Sequence, residues 1–539
     1  MAGGDAVHPS RAKSAIEVTM KNDFGLYQIC ILVITQLAYW PVCGSMLSVS
    51  FLKMSQEACG YWRETNGSLP EGEYHSLLVD WKMDCSERSG EVVTVVSTMI
   101  MLGGLVGAFA TGFLADRFGR KPIVLGTLVL LSGCNFIMLL ASVVPWWWAT
   151  LPVYFLMGCA GGGYMTTNLV LVVESLCSPN ARLLVVAVNG WSASMALTAG
   201  LAYLLPYWFH YHLAVAVIAL GCTVLLYVVA DESLRWLRSK ERYRRYDEAT
   251  DRLKRFNRGK TGDDVALIAQ LQRPFSSAVS GQLTSRPPSR QGSAGTEEGY
   301  EGASVSTARS YGYGDMFRME QIRTHLLALG YCFFVSSIVS FGFYFAVDSL
   351  SGNRYANIAI MGAGKFLLGL LPFIVASCCS RKQVALISVS FATLAAWGIV
   401  ACLIAGLSLT HIATAVLSIV VAASLDPTWK VSHLYSTELF PTTVRNMARG
   451  FCNAAARTGS VLAPLTAHFR HDLPVIPYSI FACLLTVQVV VIAIFLPNEV
   501  PDELLDTLPP TPLRKTFEAG DERTCARELT PLTPMRSAT

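Results

Sequence analysis

Twelve long apolar stretches dominate this sequence of 539 residues and leave few alternatives for its fold. A helix needs about 20 apolar residues to cross the roughly 30 Å hydrocarbon core of a bilayer. Six stretches precede residue 231 and six follow residue 322. The pattern predicts an all-α membrane protein with twelve transmembrane helices in two six-helix halves, at 24–52, 91–115, 121–143, 146–173, 183–208, 211–230, 323–348, 354–379, 383–407, 411–437, 447–469 and 475–496.

The composition independently excludes a soluble globular protein. Hydrophobic residues make up 52% of the chain and charged residues only 15%, and the mean hydropathy is +0.43. A net charge of +4 is too small to indicate a nucleic-acid partner. The first apolar stretch lacks a convincing cleavage site, so we expect it to remain as a helix rather than to be removed as a signal peptide.

Basic residues in the short loops predict the orientation. Arg117, Arg120 and Lys121 lie between predicted helices 2 and 3, and Arg381 and Lys382 follow predicted helix 8. The positive-inside rule therefore places both termini in the cytoplasm, and we expect a location in the plasma membrane. The resulting organisation is a cytoplasmic N-terminus (1–23), a first half (24–230) with an outer loop (53–90), a cytoplasmic segment (231–322), a second half (323–497) and a tail (498–539).

The outer loop carries features of an exposed extracellular segment. Asn66 begins the sequon Asn66-Gly67-Ser68 and is a candidate for glycosylation. Cys59 and Cys85 lie where an oxidising environment permits a disulfide, although Cys43 could also reach this side and the sequence does not fix the pairing. Most other cysteines fall inside apolar stretches, where they suit ordinary packing.

The cytoplasmic segment divides into two parts. Residues 231–260 are basic and predict amphipathic helices along the membrane, with apolar residues at helical spacing at Leu234, Leu237, Tyr246, Leu253 and Phe256. Residues 274–313 are rich in Ser, Gly, Arg and Pro, so we expect disorder there. Kinases are possible partners of this loop and of the tail, whereas a plain linker is the simpler interpretation.

Three motifs narrow the family. The stretch Gly112-Phe-Leu-Ala-Asp-Arg-Phe-Gly-Arg-Lys-Pro122 resembles the loop 2–3 signature of the major facilitator superfamily. Residues 231–240 (DESLRWLRSK) resemble an element shared by sugar porters and the organic ion transporters of solute carrier family 22. Residues 435–446 (YSTELFPTTVRN) resemble an element of the organic ion transporters. The chain departs from their pattern in its short outer loop and in residues 377–382, which lack the usual Asp and Gly.

This resemblance implies transport of organic ions, and Arg457 suggests their sign. The position is typically Arg in organic anion carriers of the family and Asp in cation carriers. A buried guanidinium can bind a carboxylate or sulfate bidentately. The alternative is an ion pair with an acid on a neighbouring helix. Lys365 in predicted helix 8 would add to the same positive cavity, or it would pair with Asp348.

Further residues complete the predicted binding site. Asp426 and Lys430 are four residues apart and should form an ion pair on one helix face, with coupling to protons or counter-ions as a second possibility for Asp426. Aromatic faces suit bulky ligands, although such residues in membrane helices more often pack against lipid or protein. The candidate aromatic residues are Phe341, Phe343, Tyr344, Trp191 and Trp429.

Charged residues at the cytoplasmic ends of the helices predict a gate. Glu174 with Arg182 in the first half corresponds to Glu438 with Arg445 in the second, as expected for paired repeats that rock about a central site. The other predicted members are Asp116, Arg117, Arg120 and Arg235. The alternative is snorkelling to the membrane interface, which we favour for Arg449.

Together these features predict a secondary active or facilitative carrier of organic anions that works by alternating access. The alternatives are an organic cation or zwitterion carrier, and a non-transporting protein that senses ligand or acts as a scaffold. The sequence has no nucleotide-binding loop and no catalytic constellation, so we predict neither an enzyme nor a cofactor or metal site. The predicted partners are a small organic ion and the lipid bilayer.

Overall fold

The computed structural model describes residues 25–54, 56–65, 69–70, 72–144, 146–176, 179–257, 313–347, 353–375, 378–440, 442–469 and 474–498. Within these ranges the chain is almost entirely helical. The described parts contain no β-strand and one isolated bridge, between His75 and Tyr207. Asn66, Asp348, residues 274–312 of the predicted disordered loop and residues 499–539 of the tail lie outside the described residues.

Within the described residues, twelve long helices confirm the architecture expected from the apolar stretches. The first half comprises α1 (Leu26–Phe51), α2 (Glu87–Phe118), α3 (Arg120–Met138), α4 (Leu151–Val173), α5 (Pro179–Ala187 and Gly190–Leu204) and α6 (Trp208–Val229). The second half comprises α7 (Glu320–Tyr344), α8 (Arg354–Gly369, continued by Leu371–Ile374), α9 (Arg381–Ile404), α10 (Ile412–Glu438), α11 (Thr442–Phe469) and α12 (Val475–Phe495).

Helix α11 differs from its neighbours in composition. In the described residues, eleven helices are long and apolar enough to cross a membrane by hydropathy, and α11 is not among them. Its 28 residues include Arg449 and Arg457, and charged side chains at mid-membrane depth must face a cavity or a partner. The helix also starts at Thr442, five residues before the predicted apolar boundary at 447. Its polar face therefore indicates a position in the interior of the bundle.

Glycines bring α2 and α4 into direct backbone contact. A Cβ atom on Gly162 would lie 2.7 Å from the Cα of Gly104, and one on Gly158 would lie 2.8 Å from the carbonyl carbon of Ile100. Membrane helices associate through such small residues because lipid supplies no hydrophobic force between them. The close α2 and α4 pair forms one wall of the first half.

Two helix pairs make the most extensive contacts between the halves in the described part of the chain. Helix α2 packs against α11, and α5 packs against α8. At the second contact, a Cβ atom on Gly362 would lie 2.8 Å from the carbonyl oxygen of Ser192. These crossings enclose the centre of the molecule between the two halves.

Helices α1 and α5 are interrupted near the centre. The first is broken at Ala38 and the second at Val188 and Asn189. The Asn189 side chain accepts a hydrogen bond from the backbone N–H of Trp191 at 3.0 Å, and the Gly190 N–H donates to Gln36 at 2.6 Å. Interrupted helices leave backbone groups free for partners inside a membrane protein.

The segment between the two halves forms helices at Leu234–Ser239 and Tyr243–Phe256. The second of these helices contacts the start of α1. Leu253 is buried, and the Phe256 ring meets the edge of Tyr27 with centroids 5.9 Å apart. Asn257 accepts a hydrogen bond from the Tyr27 N–H at 2.8 Å. The helix therefore anchors the start of α1.

Candidate functional site

A narrow cavity of about 60 Å³ lies between the two halves of the protein. Seven helices contribute to its wall, which contains charged, aromatic and small polar side chains. The lining residues are Tyr39, Met165, Leu169, Asn189, Trp191, Ser192, Ser337, Ser340, Phe341, Tyr344, Lys365, Asp426, Trp429, Lys430, His433, Asn453, Ala456 and Arg457.

Asp426 lies between two buried lysines in this wall. Its Oδ2 is 3.0 Å from Nζ of Lys430 on the same helix, and its Oδ1 is 3.5 Å from Nζ of Lys365 on α8. Both lysine side chains are only 4% exposed. The three groups therefore form a buried cluster with one net positive charge. Lys365 has a partner on α10 that the sequence did not indicate.

Polar groups of the first half also reach this cluster. Ser192 Oγ donates a hydrogen bond to Asp426 at 3.3 Å. Nζ of Lys430 donates to the carbonyl oxygen of Ala187, the last residue before the break in α5. The interruption in α5 thus supplies a backbone acceptor to a charge on α10, and the cluster joins the two halves.

Arg457 is the isolated charge in the cavity. The residue is 8% exposed, and its Nη2 donates a hydrogen bond to Met165 Sδ at 3.1 Å. In the described part of the chain no carboxylate lies within ion-pairing distance of its guanidinium. The cavity wall consequently holds three cationic side chains and a single carboxylate, a balance that favours an anionic ligand.

Aromatic rings cover the other surfaces of the cavity. The rings of Trp191 and Phe341 are 6.2 Å apart, and Phe341 meets Tyr344 edge-on at 5.4 Å. Nζ of Lys365 lies 5.6 Å from the Tyr344 ring centre. Trp429 lines the cavity from α10. These faces supply apolar area beside the charges.

Phe343 occupies a different position from the other predicted aromatic residues. Its ring packs against Tyr478 and Phe481 of α12, with centroids 5.8 and 5.9 Å away. The helical rotation between neighbouring residues directs Phe343 away from the cavity that Phe341 and Tyr344 line. The structure therefore corrects the assignment of Phe343 to the binding site.

Outer-side contacts between the halves close the cavity from that direction. Arg354 at the start of α8 forms an ion pair with Glu73 of the outer loop and donates to the Lys53 carbonyl at 2.8 Å. The Tyr355 ring stacks on Phe51 at 5.8 Å. Sequence reasoning missed this outer clasp because its members come from segments far apart in the chain.

The outer loop is itself fastened in two places. A disulfide joins Cys59 and Cys85. Asp80 accepts a hydrogen bond from Trp208 Nε1 at 2.6 Å and contacts His75 Nε2 at 2.7 Å, so the loop is bound to the start of α6. These contacts hold Glu73 beside Arg354, the first residue of α8.

Arg120 organises the end of the first half at which α2 meets α3. Its Nη2 lies 2.8 Å from Asp116 Oδ1, and its Nε lies 3.3 Å from Glu174 Oε2. Glu232 accepts a hydrogen bond from the backbone N–H of Arg120 at 2.8 Å, and burial raises the pKa of Glu232. The motifs at 112–122 and 231–240 thus meet in one network.

The second half contains a corresponding pair between Arg381 and Glu438. Arg381 begins α9 as Arg120 begins α3, so the altered motif at 377–382 keeps its arginine contact. Sequence reasoning treated Arg381 only as an orientation signal. Arg381 itself was the available signal, because it remains in the altered motif at 377–382 although the Asp and Gly of the family pattern are absent.

The other predicted gate residues have varied surroundings. Arg117 is exposed, with its guanidinium 5.6 Å from the Phe118 ring. Arg182 is buried and Arg235 is half-buried, whereas the Arg445 side chain lies outside the described residues. Arg449 is 5% exposed within the bundle, which corrects the prediction that it snorkels to the interface.

Comparisons with known proteins agree with this arrangement. The family model described as the Major Facilitator Superfamily matches residues 74–464. Organic anion transporter 3 of Rattus norvegicus is 25% identical over 413 residues, which cover 75% of this chain and 69% of that protein. The beta-alanine transporter of Drosophila melanogaster is 26% identical over 416 residues, which cover 76% and 63%. Solute carrier family 22 member 15 of Xenopus tropicalis is 25% identical over 454 residues, which cover 81% and 75%.

Among solved structures, the proton:xylose symporter XylE bound to 6-bromo-6-deoxy-D-glucose matches with a TM-score of 0.62. The match covers 89% of this chain and 98% of the symporter at 14% identity. A likeness at this identity concerns the fold and carries no substrate assignment.

Proposed function

This chain belongs to the Major Facilitator Superfamily of transporters, and on that premise we propose that it carries organic anions across the membrane by alternating access. It is a multi-pass membrane transporter, not an enzyme. The proposal adds the substrate class, a plasma-membrane location and cytoplasmic termini. Exchange or facilitated diffusion would suit a carrier without a nucleotide-binding loop.

Arg457 is the observation that carries the proposal. A buried arginine without a carboxylate partner among the described residues keeps its charge at a desolvation cost. An organic carboxylate or sulfate would offset that cost with two parallel charge-assisted hydrogen bonds. Lys365 and Lys430 raise the local positive potential, and their attraction to Asp426 leaves one positive charge in excess.

The aromatic wall supports an organic rather than an inorganic anion. Trp191, Phe341 and Tyr344 provide flat apolar faces next to the charged groups. Such faces would accept aromatic bodies of varied shape, while Arg457 would fix the anionic end. The names of the organic anion transporter relatives are consistent with this reading.

The proposed cycle uses the contacts that join the halves. The clasp between Arg354 and Glu73 closes the outer side, while Arg120 and Arg381 each organise the cytoplasmic side of one half. Rocking of one half against the other would open the two sides in turn around the central cavity. The narrow central cavity of about 60 Å³ would widen to admit a drug-sized anion.

Uptake into cells that express the protein tests the substrate class. A labelled aromatic sulfonate and a labelled quaternary amine are compared side by side in the wild type, Arg457→Ala and Arg457→Lys. We expect sulfonate uptake in the wild type, its loss in Arg457→Ala and partial recovery in Arg457→Lys, because lysine retains the charge without the planar fork. Arg244→Ala is the matched control, since this arginine is 93% exposed on the cytoplasmic side.

The outcomes distinguish the alternatives. Amine uptake that survives Arg457→Ala would contradict the anion assignment and favour a cation carrier. Uptake of a zwitterionic amino acid, with sulfonate excluded, would indicate that Asp426 and Arg457 bind opposite ends of one substrate. Ligand binding by purified protein without flux in proteoliposomes would indicate a sensor or scaffold.

A further inference from the structure

A second and larger cavity lies beside α2, α4 and α11, toward their cytoplasmic ends. It encloses about 420 Å³ and is separate from the central cavity, although Asn453 lines both. One side of the wall is apolar and includes Phe109, Phe113 and Val170. Arg449 also lines this cavity. We refer to this space as the inner cavity.

Arg449 is an unpartnered cation in the wall of the inner cavity. It is 5% exposed, its Nε has no hydrogen-bond partner, and no carboxylate of the described chain lies within ion-pairing distance. Removing an arginine from water without such a partner is costly. Nδ2 of Asn453 and Oγ1 of Thr167, also in this wall, are buried without partners. All three residues line the inner cavity, and each has a buried polar atom without a partner.

The inner cavity is also lined by Asp116 and Arg120, which form an ion pair with each other. Arg120 lies 2.8 Å from Asp116 and binds Glu174 on its other side. Asp116, Arg120 and Glu174 together carry one net negative charge, and Arg449 is the cation among the described lining residues that no carboxylate contacts directly. The inner cavity thus combines a free cation with hydrogen-bond groups and an apolar surface.

The inner cavity borders the lipid. Phe113 is 66% exposed on the outer surface of α2, and Phe109 is 49% exposed one turn before it. An apolar body could lie along these rings while its charged end reaches Arg449. The backbone positions of Arg449 and Arg457 are eight residues apart on α11, or about 12 Å along the helix at about 1.5 Å per residue, and Asn453 between them lines both cavities.

We propose that the inner cavity is a second ligand site, which binds an amphipathic anion through Arg449, Asn453 and Thr167. The ligand class is a sulfonate, carboxylate or phosphate group attached to an apolar body. A free anion from the cytoplasm and an anionic lipid of the inner leaflet share this chemistry. The site does not depend on whether the central cavity transports anions.

Saturation binding to the purified full-length chain tests the proposal. The protein is placed in phosphatidylcholine nanodiscs, and bound tritiated 1-naphthalenesulfonate is counted per chain. We expect two sites in the wild type. Arg449→Met should weaken one of them by about 10- to 100-fold, the value of a charge-assisted hydrogen bond, and Arg449→Lys should retain it. Arg457→Met should remove only the other site.

A second variant avoids dependence on the folding of an arginine mutant. Gly112 lines the inner cavity and has open space around the position of its Cβ, so Gly112→Leu should fill the cavity without disturbing Arg449. Gly126→Leu on α3 is the matched control, because that glycine also has open space and lies outside the cavity. We expect Gly112→Leu to lose the inner site and Gly126→Leu to keep it.

Each outcome has a defined meaning. Two intact sites in both Arg449→Met and Gly112→Leu would overturn the inner site, as would a wild type with only one site that depends on Arg457. A wild type with one site that depends on Arg449 and not on Arg457 would support the inner site and contradict the proposed substrate class. Repeating the assay with phosphatidic acid in the nanodiscs identifies the source of the ligand. If phosphatidic acid displaces the sulfonate from the wild type but not from Arg449→Met, the ligand is a lipid. If phosphatidic acid does not displace the sulfonate, the ligand is a free anion.

Discussion

Replacement of Asp426 by asparagine should strongly destabilise the folded protein. The carboxylate holds two lysines that are each 4% exposed, at 3.0 Å for Lys430 and 3.5 Å for Lys365. Asparagine has nearly the same shape but no charge. The substitution therefore removes the electrostatic partner of both lysines and leaves the packing almost unchanged.

The size of the effect follows from these distances. With an effective dielectric constant of about 20, Coulomb's law gives an attraction of about 5.5 kcal/mol for Lys430 and about 4.7 kcal/mol for Lys365. Desolvation of the carboxylate offsets part of this attraction. Measured losses after one partner of a buried ion pair is removed are about 3–5 kcal/mol, and we expect Asp426→Asn to fall in that range.

Reversible unfolding of the purified protein in mixed detergent micelles measures this free energy. A double-mutant cycle with Lys430→Met should show a coupling of about 0.5–3 kcal/mol, because the double variant leaves only one uncompensated lysine. Asp247→Asn, at an exposed position of the helix Tyr243–Phe256, is the control and should change stability by less than about 0.5 kcal/mol. Stability of Asp426→Asn within about 1 kcal/mol of the wild type, or additive effects in the cycle, would refute the reasoning.

Other contacts lead to further predictions. A Cβ atom on Gly369 would lie 2.8 Å from Cε of Lys430, so Gly369→Ala should lower the free energy of unfolding by about 1–3 kcal/mol in the same assay. Arg354→Gln removes the ion pair to Glu73 and should speed hydrogen exchange at the outer ends of α1 and α8, and unchanged rates would contradict the clasp. Glu232→Ala should cost about 1 kcal/mol by removing a helix-capping acceptor. Glu232→Gln should cost less, since burial already raises the pKa of Glu232 and disfavours its charge, and thermal unfolding compares the two variants.

Much of the fold could be predicted because membrane insertion depends on local composition. Apolar stretches can be identified from the sequence alone. In the described residues, eleven of the long helices are apolar enough to cross a membrane by hydropathy, without any tertiary information. Helix α11 is the instructive exception, since Arg449 and Arg457 lower its hydropathy while the surrounding bundle accommodates them. The apolar stretch predicted α11 at 447–469, and the observed helix ends at Phe469 as predicted.

The central site could be predicted only in part. The pairing of Asp426 with Lys430 follows from a four-residue spacing on one helix. The contact between Lys365 and Asp426 joins α8 to α10, and no periodicity within either helix indicates it. Likewise, Phe341 and Phe343 are equivalent in composition, but only the packing of α7 against α12 shows that Phe343 faces away from the cavity.

The sequence by itself determined the number of helices, the family and the presence of charges inside the membrane, because each depends on neighbouring residues. The tertiary structure decided which charges have partners. Arg354 and Glu73 meet across 281 positions of sequence, whereas Arg449 and Arg457 are surrounded by helices that bring no carboxylate of the described chain to them. Electrostatic attraction inside a bilayer acts over a few ångströms of space regardless of separation along the chain, so the partners of a buried charge become known only when the helices are packed.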